Sequence, residues 1–189
     1  MQNRFYEYSG APAEVISRCP TCQQSIIDES GDLAVFVDGA CSRNGFPDAV
    51  AGIGVYHSSD SPYNVSRLLG GSGPQTNQRA EIHAATEALK QITQRFIDGG
   101  PCHHRPDGVV IITDSAYVAN VMTDSIYKWK QNGWKNHNGE PVVNAEDFGL
   151  LERLVEGSQS RVRFWQVPRK YNQCADKLAK MALGIGLGH

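Results

Sequence analysis

The run GVVIIT, residues 108–113, constrains the fold most. It is short and carries apolar side chains on both alternating faces, which suits a strand buried on both sides. Such a strand belongs to a sheet covered above and below by other elements. A carboxylate, Asp114, follows it directly. A second β-rich run, LAVFVDG from Leu33 to Gly39, likewise reaches an acid, Asp38, at its end. An acid at the end of a core strand carries a desolvation cost unless it is hydrogen-bonded or bound to metal. Aspartate also stabilises turns and helix starts, so neither residue decides the matter alone.

The segments around these runs give the rest of the order. AGIGVY, residues 51–56, reads as a strand whose small residues suggest close backbone approaches. A third strand is expected within Tyr63–Leu69, followed by a turn with Gly70, Gly71, Gly73 and Pro74. A helix from about Gln78 to Phe96 has Ala85, Leu89, Ile92 and Phe96 as its buried stripe, and Asp98-Gly99-Gly100-Pro101 ends it. Helical segments are expected over Ser115–Met122, Ser125–Gln131 and Ala145–Glu156. A strand over Arg161–Val167 and a closing helix over Asn172–Leu183 complete the pattern. The order β-β-β-α-β-α-β-α implies an α/β domain, a mixed sheet covered by helices.

A chain of 189 residues fills one domain with roughly thirty residues to spare. Residues 1–31 are polar and broken by Gly10, Pro12, Pro20 and Gly31, and read as an extension. Residues 32–184 then form the main domain and 185–189 a tail. Within the extension, Cys19-Pro20-Thr21-Cys22 has the spacing of half a zinc site. Cys102, His103 and His104 could supply the other half. An unliganded pair and a redox pair are the alternatives. Five cysteines, an odd and scattered set, do not look like a disulfide framework.

No apolar stretch approaches the roughly 20 residues needed to cross a bilayer, and MQNRFYEYSG lacks the apolar core of a signal peptide. The expectation is an intracellular monomer without membrane contact, nucleus or cytoplasm left open. A net charge of -2 argues against a strongly basic nucleic-acid-coating protein, yet leaves room for a local basic patch.

Two helical acids add to the strand-end pair. Glu81 lies four residues before Ala85 and seven before Ala88, near the inward face of its helix. Asp176 stands in the same relation to Ala179 and Leu183. Four such carboxylates beside one sheet edge suit phosphodiester hydrolysis, in which two Mg²⁺ or Mn²⁺ ions about 4 Å apart activate water and stabilise the departing oxygen. Magnesium takes oxygen ligands, including carboxylates and substrate phosphate. Lys128, Trp129-Lys130 and Trp134-Lys135 interleave aromatic and basic groups as a backbone-tracking surface would. An amphipathic helix with Trp129 or Trp134 packed inward, ended by Gly133, is the plainer alternative, above all for Trp134.

At these residues the chain resembles the type 1 ribonuclease H family, above all the eukaryotic catalytic domain. DGACSRNG from Asp38, TNQRAEIHAA from Thr76, ITDSAYVANVM around Asp114, WKQNGWKNHNGEPVVNAEDFGLLERL from Trp129 and NQCADKLAKMA around Asp176 carry the likeness across residues 33–184. The resemblance implies a ribonuclease H-like fold with a five-stranded mixed sheet flanked by helices. It implies cleavage of the RNA strand of an RNA–DNA hybrid, leaving 5′-phosphate and 3′-hydroxyl ends. Asp38, Glu81, Asp114 and Asp176 match the catalytic carboxylates that hold two Mg²⁺ ions with substrate, Mn²⁺ being a substitute. Asn44, Asn77 and Gln78 match residues that meet the hybrid in the minor groove, where 2′-hydroxyls are read. Thr76 and Asn144 match a DNA-phosphate pocket, and Tyr117 and Trp129 match aromatics of the DNA channel.

Three departures stand out. VPRKYNQCAD runs directly from the last strand to the final acid, so the glycine-histidine loop usual in the family is shortened and its histidine absent. Pro74 replaces an arginine and Ser125 a channel aromatic. Arg169 and Lys170 are candidate phosphate contacts with Lys128, Lys130 and Lys135, but neither is a general base at neutral pH. The alternatives to an active hybrid nuclease are a catalytically weak hybrid-binding or protein-interaction module and a retroelement-type nuclease with altered strand preference.

Overall fold

The structure, a computed structural model, describes residues 4–8, 10–97 and 107–185. Cys102, His103, His104 and the helix-ending run at 98–101 lie outside the described residues, as do the side chain of Phe96 and most of the tail. The five expected strands are present as β3 (Leu33–Ser42), β4 (Val50–Tyr56), β5 (Val65–Leu68), β6 (Gly108–Thr113) and β7 (Arg161–Gln166). Two short strands precede them, β1 (Ile16–Arg18) and β2 (Ile26–Asp28), so the sheet has seven strands among the described residues, not five. β3 pairs antiparallel with β2 at Leu33–Ala34 and with β4 along Phe36–Ser42. It pairs in parallel with β6 over Leu33–Phe36, and β6 pairs in parallel with β7. Helices α1 (Asn77–Ile97), α2 (Ala116–Asn120), α3 (Ile126–Asn132), α4 (Ala145–Gly157) and α5 (Gln173–Ala182) follow the expected order. A single widened turn, Val121–Ser125, joins α2 to α3, so the two expected helices form one path.

Strand β6 is buried on both faces as its composition predicts. Val109 and Ile111 join one core with Val35, Val37 and Ile53 of the sheet, Ala85, Leu89 and Ile92 of α1, and Phe148 and Leu151 of α4. Val110 and Ile112 join a second core with Ala34, Phe36, Trp165 and Val167. The lid of that second core is the amino-terminal extension, through Tyr6 and Ile26, together with Ala175 of α5.

The reading of residues 1–31 as irregular is therefore corrected. Tyr6 donates its backbone N–H to Phe164, and Phe164 donates to Arg4, so the chain start lies alongside β7. Trp165 donates its indole N–H to the Tyr8 carbonyl at 2.9 Å. Arg4 is buried and pairs with buried Glu152 at 2.5 Å. The apolar residues doing this are scattered among polar ones, so no two- or 3.6-residue period reveals them.

Two glycines fix how close the helices come to the sheet. A Cβ on Gly39 would lie 2.3 Å from the Glu81 backbone nitrogen, and one on Gly54 would lie 2.2 Å from the Ala175 carbonyl oxygen. Only glycine lets α1 and α5 settle against β3 and β4 at these points.

His57, at the end of β4, is wholly buried with its Nε2 3.2 Å from Gln91 Oε1. Burial pushes its pKa down to about 4. The unfolded chain takes up this proton first, so the contribution is complete above about pH 6.5 and is lost as pH falls through 4. Roughly 3 kcal/mol of stability should disappear across that window. Urea denaturation of the protein and His57→Gln, measured from pH 7 to pH 4, checks this: the variant should show the shallower decline.

Candidate active site

Asp38 and Asp114 face one cleft because β3 and β6 are adjacent and parallel, in register at Phe36 and Ile112, which sets both acids two residues beyond that pair. Asp114 follows the end of β6, but Asp38 does not end its strand as the sequence suggested: β3 runs on to Ser42 paired with β4, and Asp38 lies just past where β3 parts from β6. Gly39 admits the first turn of α1, which brings Glu81 to the same place. The cleft, about 210 Å³, is lined by Asp38, Glu81 and Asp114, with Asn77, Arg169 and Lys180 around them. Asp176, in the first turn of α5, stands at its margin and is held by the last two: Arg169 Nη2 is 2.6 Å from one carboxylate oxygen and Lys180 Nζ 2.7 Å from the other.

Each acid has its own support. Asp38 accepts from the Gly39 N–H at 2.8 Å. Glu81 accepts from the Ser115 hydroxyl at 2.6 Å and from the Asn77 amide at 2.7 Å. Asn172, fully buried, donates to Asp114 at 2.7 Å and to the Val37 carbonyl at 3.0 Å, tying the end of β6 to the middle of β3.

The electrostatics separate Asp38 and Glu81 from Asp176. Burial pushes the Asp38 pKa up to about 8, and the charges of Asp114, Asp176 and Glu81 add to the rise against the Gly39 hydrogen bond. Burial also raises Glu81, with Asp114 adding to it and the Ser115 bond opposing. Burial works on Asp176 in the same direction, but Lys180 and Arg169 outweigh it and hold that carboxyl low. The cleft thus concentrates negative charge that its own cations balance at only one corner, and all its central donors are oxygen. That donor set fits a hard divalent cation. Even so, no three acids, histidines or cysteines among the described residues form a ready-made cage.

Other expected residues assemble nearby. Asn44 accepts from the Asn77 backbone N–H at 3.1 Å, beside the Glu81 corner, and Gln78 is exposed one residue on. Thr76 caps α1 by accepting from Arg79 N–H at 3.2 Å. Asn144, in a left-handed conformation, lies 3.5 Å from the Tyr117 hydroxyl, which donates to Val143 O at 3.3 Å. The Trp129 and Trp134 rings are 6.2 Å apart and both pack on the core, which is the inward placement weighed for Trp134. Gly133 ends α3 with φ 73.

The basic candidates divide. Lys135 is exposed, and Lys170 stands over the Tyr171 ring at 4.8 Å. Lys128 pairs with Asp124, and Lys130 is neutralised by Glu152 and Glu156. Lys130 is a structural strut to α4 in this structure. Cys19 is buried and Cys22 half-buried in the β1–β2 turn. Two thiols supply half of the four ligands that structural zinc takes.

Sequence reasoning missed Ser115, Asn172 and Lys180. Each had a signal: Ser115 adjoins Asp114 at a helix start, and Asn172 and Lys180 sit four residues before and after Asp176. Ser115 serves twice, since its side chain also caps α2 by accepting from Val118 N–H. Ser115→Ala should cost about 1 kcal/mol in chemical denaturation and leave one Glu81 oxygen without its donor.

A family model described as RNase H matches residues 30–183. Ribonuclease H1 of Homo sapiens is 38% identical over 170 residues, 87% of this chain and 55% of that protein. Ribonuclease H of Cereibacter sphaeroides (strain ATCC 17025 / ATH 2.4.3) is 35% identical over 157 residues, 80% of this chain and 95% of that one. Among solved structures, LC11-RNase H1 in complex with RNA/DNA hybrid shares the fold with a TM-score of 0.56, at 22% identity over 80% of this chain and 96% of that one. The chain spans about half the length of the mammalian relatives it matches.

Proposed function

This chain belongs to the RNase H family, and from that premise we propose that it is an endonuclease cutting the RNA strand of RNA–DNA hybrids, with 5′-phosphate and 3′-hydroxyl products. The observation that carries the reading is the cleft itself: three buried or half-buried carboxylates, Asp38, Glu81 and Asp114, with Asp176 at its margin. A binding module would gain nothing from concentrating these charges, which cost stability unless a cation joins them.

Asp38, Glu81, Asp114 and Asp176 would hold two Mg²⁺ ions, or Mn²⁺ in their place. When bound, the divalent ions supply Lewis acidity that makes a nucleophile of water near neutral pH and steadies the departing 3′ oxygen. The residues around them do the rest. Ser115, Asn77 and Asn172 fix the carboxylate rotamers of Glu81 and Asp114. Asn44, Asn77 and Gln78 form one polar rim where the 2′-hydroxyls of an RNA strand would be read. Thr76, Tyr117 and Asn144, with Trp129 behind them, form the neighbouring rim for the DNA strand. Arg79 and His83 both bond Asp147, at 2.7 and 2.8 Å, and so lock α1 to α4 beneath that rim. Among the described residues no histidine lines the cleft.

The test is cleavage of a hybrid labelled separately on each strand, in Mg²⁺ and in Mn²⁺. Products from the RNA strand alone, carrying 5′-phosphates, are the expected result. Tight hybrid binding without cleavage in either metal would turn the reading to a binding module, and cleavage of both strands to a nuclease of altered preference.

A further inference from the structure

The two cations that line the acidic cleft both act on the same carboxylate. Arg169 takes one oxygen of Asp176 and Lys180 the other. The chain thereby keeps Asp176 well neutralised while Asp38, Glu81 and Asp114, its neighbours, have no cation in direct contact among the described residues. The Arg169 guanidinium also acts at longer range: its charge lowers Glu81, and Asp38 and Asp114 act back on it. The arrangement depends on local sequence. Arg169 sits on the single tight turn Arg169–Tyr171 that links β7 to α5, and Lys180 lies one helical turn beyond Asp176 on the same face. Asp176 is only 16% exposed, whereas Arg169 is 68% and Lys180 40% exposed, so the cations can swing out without unpacking anything.

We propose that Arg169 and Lys180 form a built-in latch on Asp176, a pair of internal counter-cations that a divalent metal must displace to complete its site. The inference rests on the metal-dependent reading above, and it assigns to the short 169–172 connection a part in setting metal affinity. Three consequences separate the latch from a mere phosphate contact. It acts on the metal in the absence of nucleic acid. It weakens metal binding, because displacing Arg169 opposes occupancy. It loosens with added salt, because the outer halves of both ion pairs are solvated. A polyanion gives Arg169 another partner, so metal and nucleic acid should each favour the binding of the other.

Calorimetric titration of Mn²⁺ into the intact protein, Arg169→Gln, Lys180→Gln and Asp176→Asn, all free of nucleic acid, tests the latch. Melting temperatures in chelator, read beside the titrations, establish that each variant is folded. Arg169→Gln should bind Mn²⁺ about three- to fivefold more tightly, the range expected for one largely solvated ion pair, and should melt at a lower temperature in chelator. Lys180→Gln should tighten binding in the same direction, and Asp176→Asn should weaken it. Unchanged or weaker Mn²⁺ binding by folded Arg169→Gln overturns the latch while leaving the metal-dependent reading in place. Absence of Mn²⁺ binding by the intact protein at millimolar metal overturns both.

Discussion

Asp38→Asn should abolish hybrid cleavage and, in chelator, make the protein harder to unfold. The two effects have one cause. Asp38 is 5% exposed and is surrounded by three other acids, so burial first and their charge next push its pKa up to about 8. The folded, metal-free chain therefore holds a proton that the unfolded chain releases in the ordinary carboxylate range. The stability this contributes is complete below about pH 4 and is lost as the pH rises through 8. At pH 8 and above, an uncharged amide of the same shape avoids that loss, and a gain of roughly 2–4 kcal/mol is expected. Cleavage, in contrast, should fall at least about a thousandfold, the effect of removing some 4 kcal/mol of transition-state stabilisation. Chelator-containing urea curves at pH 6 and pH 9, beside initial rates in Mg²⁺, check both halves. A variant that is inactive but less stable in chelator at both pH values would mean that Asp38 serves packing and not the charge of the site.

The second large effect concerns the other end of the sheet. A chain trimmed to begin at residue 32, close to where the family match starts, should lose more than about 5 kcal/mol of stability. The cut strips Tyr6 and Ile26 from Phe36, Val110, Ile112 and Trp165. It removes the backbone partners of Phe164 and the acceptor of the Trp165 indole. It also takes Arg4 from Glu152, leaving that buried acid with Lys130 as its remaining cation. Truncation of one aromatic offers a graded control: Trp165→Ala in the full chain should cost about 3–5 kcal/mol. Guanidinium denaturation followed by tryptophan fluorescence measures both. A trimmed chain within about 1 kcal/mol of the full one would show that the extension merely rests on the sheet.

The contrast between these two regions explains what the sequence made legible. The four acids could be picked out because strand and helix periods are regular and each carboxylate interrupts one. β6 was legible because burial on both faces removes the alternation of a half-exposed strand. Glycines at 52 and 54 signalled close approaches, and α5 does touch β4 there. The extension stayed opaque for the opposite reason. Tyr6, Ile16 and Ile26 are set among polar residues, and their burial depends on Phe36, Val110 and Trp165, far along the chain. Periodicity reports neighbours in one element and carries nothing about a partner 150 residues away. The same holds for Arg169 and Lys180. Their charge was plain, but only the tight turn before α5 aims Arg169 at Asp176 instead of outward. Lys130 shows the error in reverse: a basic residue beside tryptophans looked like a phosphate contact and is occupied by Glu152 and Glu156.

The pairing of the chain start with β7 also bears on how the molecule is made. Arg4 finds Glu152, 148 positions later, and Tyr6 finds Phe164. Synthesis runs from the amino terminus, so Arg4 and Tyr6 leave the ribosome long before β7 and must wait until it has emerged. Until then Phe36, Val110 and Ile112 lack their cover. Contacts this distant in sequence slow folding, and a sheet face left open during the wait invites association with other chains. The extension is thus made before the sheet it covers and placed after it, and completion of the fold waits on the synthesis of β7.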